Sequence, residues 1–458
     1  MFSYALGKIL PAIFTFLTLS MLSYKLEPSV YGRYSLTVAL ATGLSGILYN
    51  FIDLTAGRYL SKYCNEDREF FLSFLTTIML LPACLSIVIC YVLDYFTKGE
   101  LSLGLVAVVA LVIGWFNFNA RVFNAEQKIL RYSLLFLMKS GFFYFSLLIY
   151  LQYGKDYFVV VFLMLLSFFL PTLFLNKASS KRWGSYCQEY KRLVIDYGIP
   201  LIPMFFSLFF LTNIVKLGLY TLQGSKQLGL YSAISDILQY VIITICGIVH
   251  LYFYPKVIKA RNENNEEHSK GILITALNIL LFLLLFFGGG LYLFGSDLFD
   301  LVLGREYREL AKEISMIIFV GFSLQALKSY YFDYSFQIAE KTGYQFLVVL
   351  VSLFLATPVA IVLISSYSVY GAAITLVCVF FIYSLLSFLI GRKIFKLPFG
   401  EIKSYLELVA VFSFFILIMK IVLLFFAGLN SVFFIPVYTC LMLLYMFLRL
   451  GRYKFDLV

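Results

Sequence analysis

A succession of apolar stretches, each long enough to cross a bilayer and separated from the next by a short polar loop, constrains this chain more than any other feature. A hydrocarbon core about 30 Å thick needs about 20 apolar residues per helix. The 458-residue chain supplies that about fourteen times over. With 62% hydrophobic and only 13% charged residues, it leaves no room for a soluble catalytic domain. A segment in lipid must satisfy its own backbone polar groups, which restricts spanning structures to helices and closed barrels. Barrel strands alternate in polarity over about ten residues, whereas the runs at 272–287 and 408–427 are continuous. The expectation is an all-α polytopic membrane protein.

The expected spans are 5–24, 34–58, 70–93, 101–123, 131–152, 157–176, 197–220, 229–254, 271–294, 312–335, 344–366, 369–391, 405–428 and 431–449. The first carries no signal-peptide cleavage pattern and reads as a retained helix. Orientation follows from the basic residues. Of the 36 Lys and Arg, 24 fall on the side of the N-terminus, 8 on the opposite side and 4 within spans. Both termini are therefore expected in the cytoplasm, and an even number of crossings agrees. The net charge of +11 is accounted for by this anchoring, so no nucleic-acid surface is expected. All seven Cys, Cys64 and Cys187 among them, fall in spans or loops on the cytoplasmic side, and no disulfide is expected.

The polar stretch after the sixth span divides the chain. Residues 1–176 form an expected N-terminal lobe, 177–196 a cytoplasmic linker and 197–391 a C-terminal lobe, with 392–458 an appended helix pair and tail. An internal repeat supports the division. Gly32 and Gly229 lie 197 positions apart, and each is followed one residue later by Tyr-Ser. Six spans per repeat preserve orientation, which implies two six-helix lobes related by an axis along the membrane normal.

Polar residues within spans are the candidates for function. Ala39, Gly43, Gly46, Asn50, Asp53 and Gly57 form one helix face on the second span, and Asp236, Tyr240, Gly247 and His250, with Gln239 beside them, form its counterpart on the eighth. The glycines are equally read as helix-packing positions. A lysine at mid-bilayer costs about 3 kcal/mol on insertion scales and faces a cavity or a partner. Lys328 fits that description best. Lys216 and Lys139 lie nearer span ends, where snorkelling to the interface is the alternative. Lys420 lies on the appended pair. Arg58 closes the second span and could receive a phosphate, since a guanidinium fork matches phosphate oxygens; ordinary anchoring explains it as well. Asp333 follows Lys328 by five residues, about 140° round an α-helix, so a same-face ion pair is not expected. The polar run around His268 needs no functional explanation. No phosphate-binding loop and no metal-ligand spacing occurs, so neither cofactor nor enzymatic activity is expected.

Several segments carry a resemblance. ILPAIFTFLTLSMLSYKLEPSVYGRYSL with AGRYLSKY, the stretch Ile199 to Ala233, LFGSDLFDLVLGREYRELA and VYGAAITLV resemble polysaccharide-transport proteins. These are the O-antigen flippase (Wzx-like) branch of the multidrug/oligosaccharidyl-lipid/polysaccharide (MOP) exporter superfamily. The resemblance spans essentially the whole chain. It implies two six-helix lobes around a central cleft, with an added helix pair. The implied activity moves an undecaprenyl-pyrophosphate-linked oligosaccharide to the outer leaflet of a bacterial inner membrane. Implied partners are that lipid-linked substrate, membrane lipids and other polysaccharide-assembly membrane proteins. Lys328, Lys216, Lys139 and Arg58 are then the candidate substrate-binding cations. Asp53, Asn50, Asp236, Gln239 and Asp333 are the candidate ion-coupling or polar cleft residues. Family members often carry an acid before the basic residue late in the seventh span, whereas here Val215 precedes Lys216. Three alternatives stand beside this reading. A multidrug exporter would favour acidic and aromatic sites over four intramembrane lysines, a glycan polymerase would need an outer platform longer than 295–311, and a lipid II flippase is poorly separated by sequence.

Overall fold

Because each span closes its hydrogen bonds internally, the backbone is helical almost throughout, and no strand occurs among the described residues. The structure, a computed structural model, describes residues 2–63, 65–96, 103–175, 188–341, 343–426 and 431–452. Cys64, Lys98, Cys187, residues 177–187 of the expected linker and the tail at 453–458 lie outside the described residues. The helices are α1 (Phe2–Lys25), α2 (Pro28–Tyr59), α3 (Asn65–Phe96), α4 (Leu103–Ala125), α5 (Ile129–Tyr150), α6 (Tyr157–Leu175) and α7 (Gln188–Leu193). They continue as α8 (Ile202–Asn262), α9 (Glu266–Val302), α10 (Arg305–Leu327), α11 (Tyr334–Ile338), α12 (Gly343–Ile394), α13 (Ile402–Phe425) and α14 (Ile435–Arg452).

Among the described residues, ten helices are long and apolar enough to cross a membrane, and shorter apolar helices occupy 9–25 and 431–446. Two of the long helices hold two crossings each. α8 breaks at Gly224 (φ 85°) and α12 at Ser368 (φ 48°). With those breaks counted, the expected set of about fourteen spans is present, and the chain is a multi-pass membrane protein. Glycine has no Cβ to oppose a positive φ, which makes Gly224 a natural hairpin point.

Local chemistry explains the helix ends. Pro28 opens α2 in the first turn, where its missing N–H costs no hydrogen bond. The polar run before α9 is a turn and a cap: Asn265 accepts a 3.0 Å bond from the His268 amide, and Glu266 and Glu267 face the positive end of the helix.

The chain divides into two compact units, Met1–Ser232 and Ala233–Val458. In the first, α2 packs on α4, α1 on α5 and α5 on α6. Tyr49, Phe71 and Phe118 are fully buried in a cluster that also takes in Tyr190 and Val194. In the second unit α10 packs on α12, and α13 and α14 pack on α9. There the Phe282 and Phe412 rings meet at 5.3 Å, and the Tyr438 hydroxyl donates to the Phe286 carbonyl at 2.9 Å. Lipid tails are as apolar as these side chains, so van der Waals fit and hydrogen bonds hold the helices together, not exclusion from water. Phe354 and Phe425, more than 75% exposed at 80% and 84%, belong to the lipid-facing exterior.

Small residues set the closest approach in the first unit. A Cβ on Gly32 would overlap the Ser225 carbonyl and stand 2.8 Å from the Gly229 nitrogen. A Cβ on Gly229 would overlap the Pro28 carbonyl and stand 3.0 Å from the Gly32 nitrogen. Pro28 and Ser225 are separated by the same 197 positions as Gly32 and Gly229. The contact is therefore reciprocal between equivalent residues of the repeat, the signature of a local two-fold relation. The repeat glycines touch each other.

Candidate functional site

The second unit holds a buried ion pair where α10 ends. Between α10 and α11 the residues Lys328–Phe332 form a π-turn, in which the Asp333 amide bonds the Lys328 carbonyl five residues back, at 3.0 Å. The wider turn brings position 333 round to the face of 328. Lys328 Nζ and Asp333 Oδ2 are 2.8 Å apart, with side chains 6% and 11% exposed. The expectation that these residues lie on different faces is thereby corrected: an offset of about 140° holds for an α-helix, and the backbone there is π-helical.

Neighbours complete the pair. Ser387 Oγ donates to Asp333 Oδ1 at 3.0 Å, and Lys328 Nζ lies 3.7 Å from the centre of the Tyr383 ring. Each carboxylate oxygen has a partner, and the ammonium meets both a carboxylate and a ring face. Such a pair in low dielectric persists only with this degree of satisfaction. Ser387→Ala removes one hydrogen bond to a charged group and is expected to cost about 1.5–3 kcal/mol. A thermal midpoint in detergent indistinguishable from wild type would contradict that.

Beside the pair, an aromatic group surrounds His250. Its ring stacks on Tyr254 at 5.2 Å and Tyr334 at 5.3 Å, with Tyr330 at 5.6 Å. His250 Nδ1, the Tyr334 hydroxyl and Gln325 Oε1 are buried without a hydrogen-bond partner among the described residues. Unmatched polar atoms beside a charge-balanced pair form a polar, nearly neutral locus within the membrane. Asp236 and Gln239, on the second half of α8, are half-buried.

In the first unit the candidates have different neighbours. Lys216 Nζ donates to Ser35 Oγ at 3.0 Å, one turn along α2 from the Gly32 contact. Lys139 Nζ lies 4.6 Å from the centre of the Phe168 ring. Arg58 is exposed at the end of α2, 4.5 Å from the Tyr197 ring and 5.6 Å from that of Tyr59; Lys62 lies 4.9 Å from the Tyr59 ring. Asp53 is buried, its Oδ1 without a hydrogen-bond partner among the described residues, within electrostatic reach of Arg121. A Cβ on Gly57 would stand 2.9 Å from Arg121 Cδ, so the glycine makes room for that side chain. Gly43 likewise lies under the Phe209 ring. The packing reading holds for both glycines. Asn50 is half-buried one turn from Asp53.

Sequence reasoning missed Tyr383 and Ser387, which complete the Lys328–Asp333 pair, and Arg121, which lies near Asp53. Ser384 and Ser387, three residues apart in an apolar helix, were the available signal; Ser384 donates to the Leu324 carbonyl at 3.0 Å.

These features define a multi-pass helical membrane protein with the fold of the MOP-superfamily transporters. Among solved structures, the chain is similar to the lipid II flippase MurJ in an inward closed conformation. The TM-score is 0.75 at 11% identity, over 96% of this chain and 98% of that one. A multidrug resistance MATE transporter of the MOP superfamily, inward-facing, gives a TM-score of 0.59 at 14% identity, over 84% and 94%. A MOP superfamily transporter from Pyrococcus furiosus, described as having a binding pocket of reversed polarity, gives 0.59 at 16% identity, over 86% and 93%. At these identities the likeness is one of fold. No protein-family model matches the sequence, and no curated protein is similar to it.

Proposed function

We propose that this chain is a flippase that carries an undecaprenyl-pyrophosphate-linked oligosaccharide repeat unit from the cytoplasmic to the outer leaflet. The observation that carries this reading is the full-length likeness to a lipid-linked-substrate flippase, stronger by TM-score than the likeness to the multidrug transporters. Lysines within the spans support it, since a cationic path suits pyrophosphate and acidic sugars better than cationic drugs. The polar headgroup crosses by alternating access while its lipid tail stays in the bilayer. The protein acts without chemical conversion of its substrate.

In this reading 1–176 and 197–391 are the two functional lobes, joined by 177–196, with 392–458 appended. The protein resides in a bacterial inner membrane with both termini cytoplasmic, and works beside other polysaccharide-assembly membrane proteins. Lys216, Lys139 and Arg58 serve the substrate phosphates. Lys328 joins them as a fourth substrate cation, while Asp53 and Asn50 in the first unit and Asp236, Gln239 and Asp333 in the second are the polar or ion-coupling residues. Lys216 and Lys139 make the cleaner mutational test, because Lys328→Ala would also strand Asp333.

Deletion in the native host tests the proposal through surface glycan and inner-leaflet lipid-linked repeat units. The expected result is lost surface glycan and accumulated cytoplasm-facing intermediates, restored by wild type and not by a Lys216→Ala, Lys139→Ala double variant. Accumulated lipid II with normal surface glycan would favour a lipid II flippase, the second reading that the MurJ likeness supports. Normal glycan with heightened sensitivity to cationic drugs would overturn both.

A further inference from the structure

A cavity of about 310 Å³ lies at the basic end of α12, lined by Phe332, Ser335, Phe388, Arg392, Lys396 and Phe399, together with Phe395 and Leu397. Its construction is local. The non-helical stretch after α12 folds back across the π-turn, pinned by a hydrogen bond from the Tyr331 hydroxyl to the Pro398 carbonyl. A second bond, from the Gly400 amide to the Tyr405 hydroxyl at 2.9 Å, holds its far end. Gly391 allows the approach of α11, since a Cβ there would collide with Ser335.

The lining specifies the ligand. Two cations face the cavity, no carboxylate lines it, and neither Arg392 nor Lys396 has an ion-pair partner among the described residues. Arg261 adds a third positive charge behind one wall, 4.6 Å from the centre of the Phe395 ring. The carbonyl end of α12 lends negative partial charge, which these cations outweigh. The site therefore accepts an anion. Small-molecule sites run from about 300 to 1,000 Å³, so this one suits a phosphate-bearing headgroup and is too small for an oligosaccharide.

The approach to the cavity is apolar. Phe381, Leu385 and Leu389, exposed by 54%, 42% and 48%, follow one another at four-residue steps along one face of α12, and Arg392 continues that face one turn on. Phe399 at the rim is also exposed. A stripe of lipid-facing side chains thus leads to a basic pocket at the end of the span. That is the arrangement an acyl chain and its phosphate require.

We propose that this pocket binds the phosphate of a membrane lipid, with the lipid's tail lying along the Phe381–Leu385–Leu389 face. The ligand would rest against Phe332 and Ser335, the residues on either side of the Asp333–Tyr334 step, and so brace the turn that holds the Lys328–Asp333 pair. The assignment needs the membrane setting only and stands whether or not the flippase reading does.

The test is native mass spectrometry of the full chain in detergent with phosphatidylglycerol, phosphatidylcholine or a polyprenyl diphosphate added. Wild type should retain phosphatidylglycerol, and an Arg392→Ala, Lys396→Ala double variant should bind it about 10- to 30-fold more weakly, at roughly a factor of five per basic residue. Arg392→Lys with Lys396→Arg, which keeps both charges, should bind as wild type does, and so controls for misfolding. A larger loss with polyprenyl diphosphate than with phosphatidylglycerol would support the same pocket and identify the phosphate as that of a lipid-linked carrier. Equal binding of phosphatidylcholine, no difference between wild type and the alanine variant, or displacement of the lipid by equimolar inorganic phosphate would overturn the proposal.

Discussion

Asp333→Asn is expected to lower the folded yield and thermal midpoint of this protein as much as any single polar change in the second unit. Lys328 and Asp333 are both at least nine-tenths buried by residue exposure, and their charged atoms meet at 2.8 Å. An asparagine keeps the shape but leaves the ammonium without a counter-charge, a change that costs about 3–5 kcal/mol at buried pairs. Replacing both partners with apolar residues of similar volume, Lys328→Met with Asp333→Leu, removes the uncompensated charge and should recover most of the yield. This pair of variants separates architecture from transport. Recovered yield without recovered transport would assign the pair to the polar path. Recovery of both would make it a structural device of the π-turn. An unchanged midpoint in Asp333→Asn would show that the ion pair does not hold the turn.

Gly32→Val and Gly229→Val are expected to have the next largest effect, in the first unit. At each glycine a Cβ would fall on the backbone of the facing segment, not on a side chain that can turn aside. The helices must separate, so the cost should reach or exceed the upper part of the 1–3 kcal/mol range of overpacked sites. Because the contact is reciprocal, the two variants should be about equally damaging. Alanine at Gly271 or Gly343, where nothing lies within 4 Å of the added atom, should leave the midpoint near wild type. Thermal unfolding of the four variants in one detergent checks the whole series. A tolerated Gly32→Val would mean that the two segments do not meet in the membrane. Lys216 adds a finer readout: its hydrogen bond to Ser35 lies one turn from Gly32, so separated helices should also lose it.

Much of this architecture was legible in residue order. Spanning helices follow from uninterrupted apolar length, and the polar stretch around His268 is a turn and a helix cap. The repeat was visible because Gly-x-Tyr-Ser recurs at a fixed offset. Arg58, read as closing the second span, stands exposed at the end of α2. The interior of the candidate site was not legible in the same way. A one-dimensional helical wheel assumes 100° per residue, and one π-turn at Lys328–Phe332 invalidates it for every later position on that segment. Ser368 turns the chain at positive φ with no glycine to announce it. Arg121 did not stand out because its place depends on the space above Gly57, which belongs to another helix.

What the sequence determined by itself is what depends on local composition: that the chain lives in a bilayer, about how many times it crosses, and which residues are too polar for lipid. Those are transfer free energies and propensities, written residue by residue. Which polar residues neutralise one another was decided only by tertiary structure. Lys328 finds Asp333 through a locally widened turn and Ser387 through the packing of α12, and Gly32 finds Gly229 across two helices. The physical reason is range. Solvation acts on each side chain alone, whereas a buried charge or an absent Cβ acquires meaning only from the atoms a few ångströms away, and the fold chooses those.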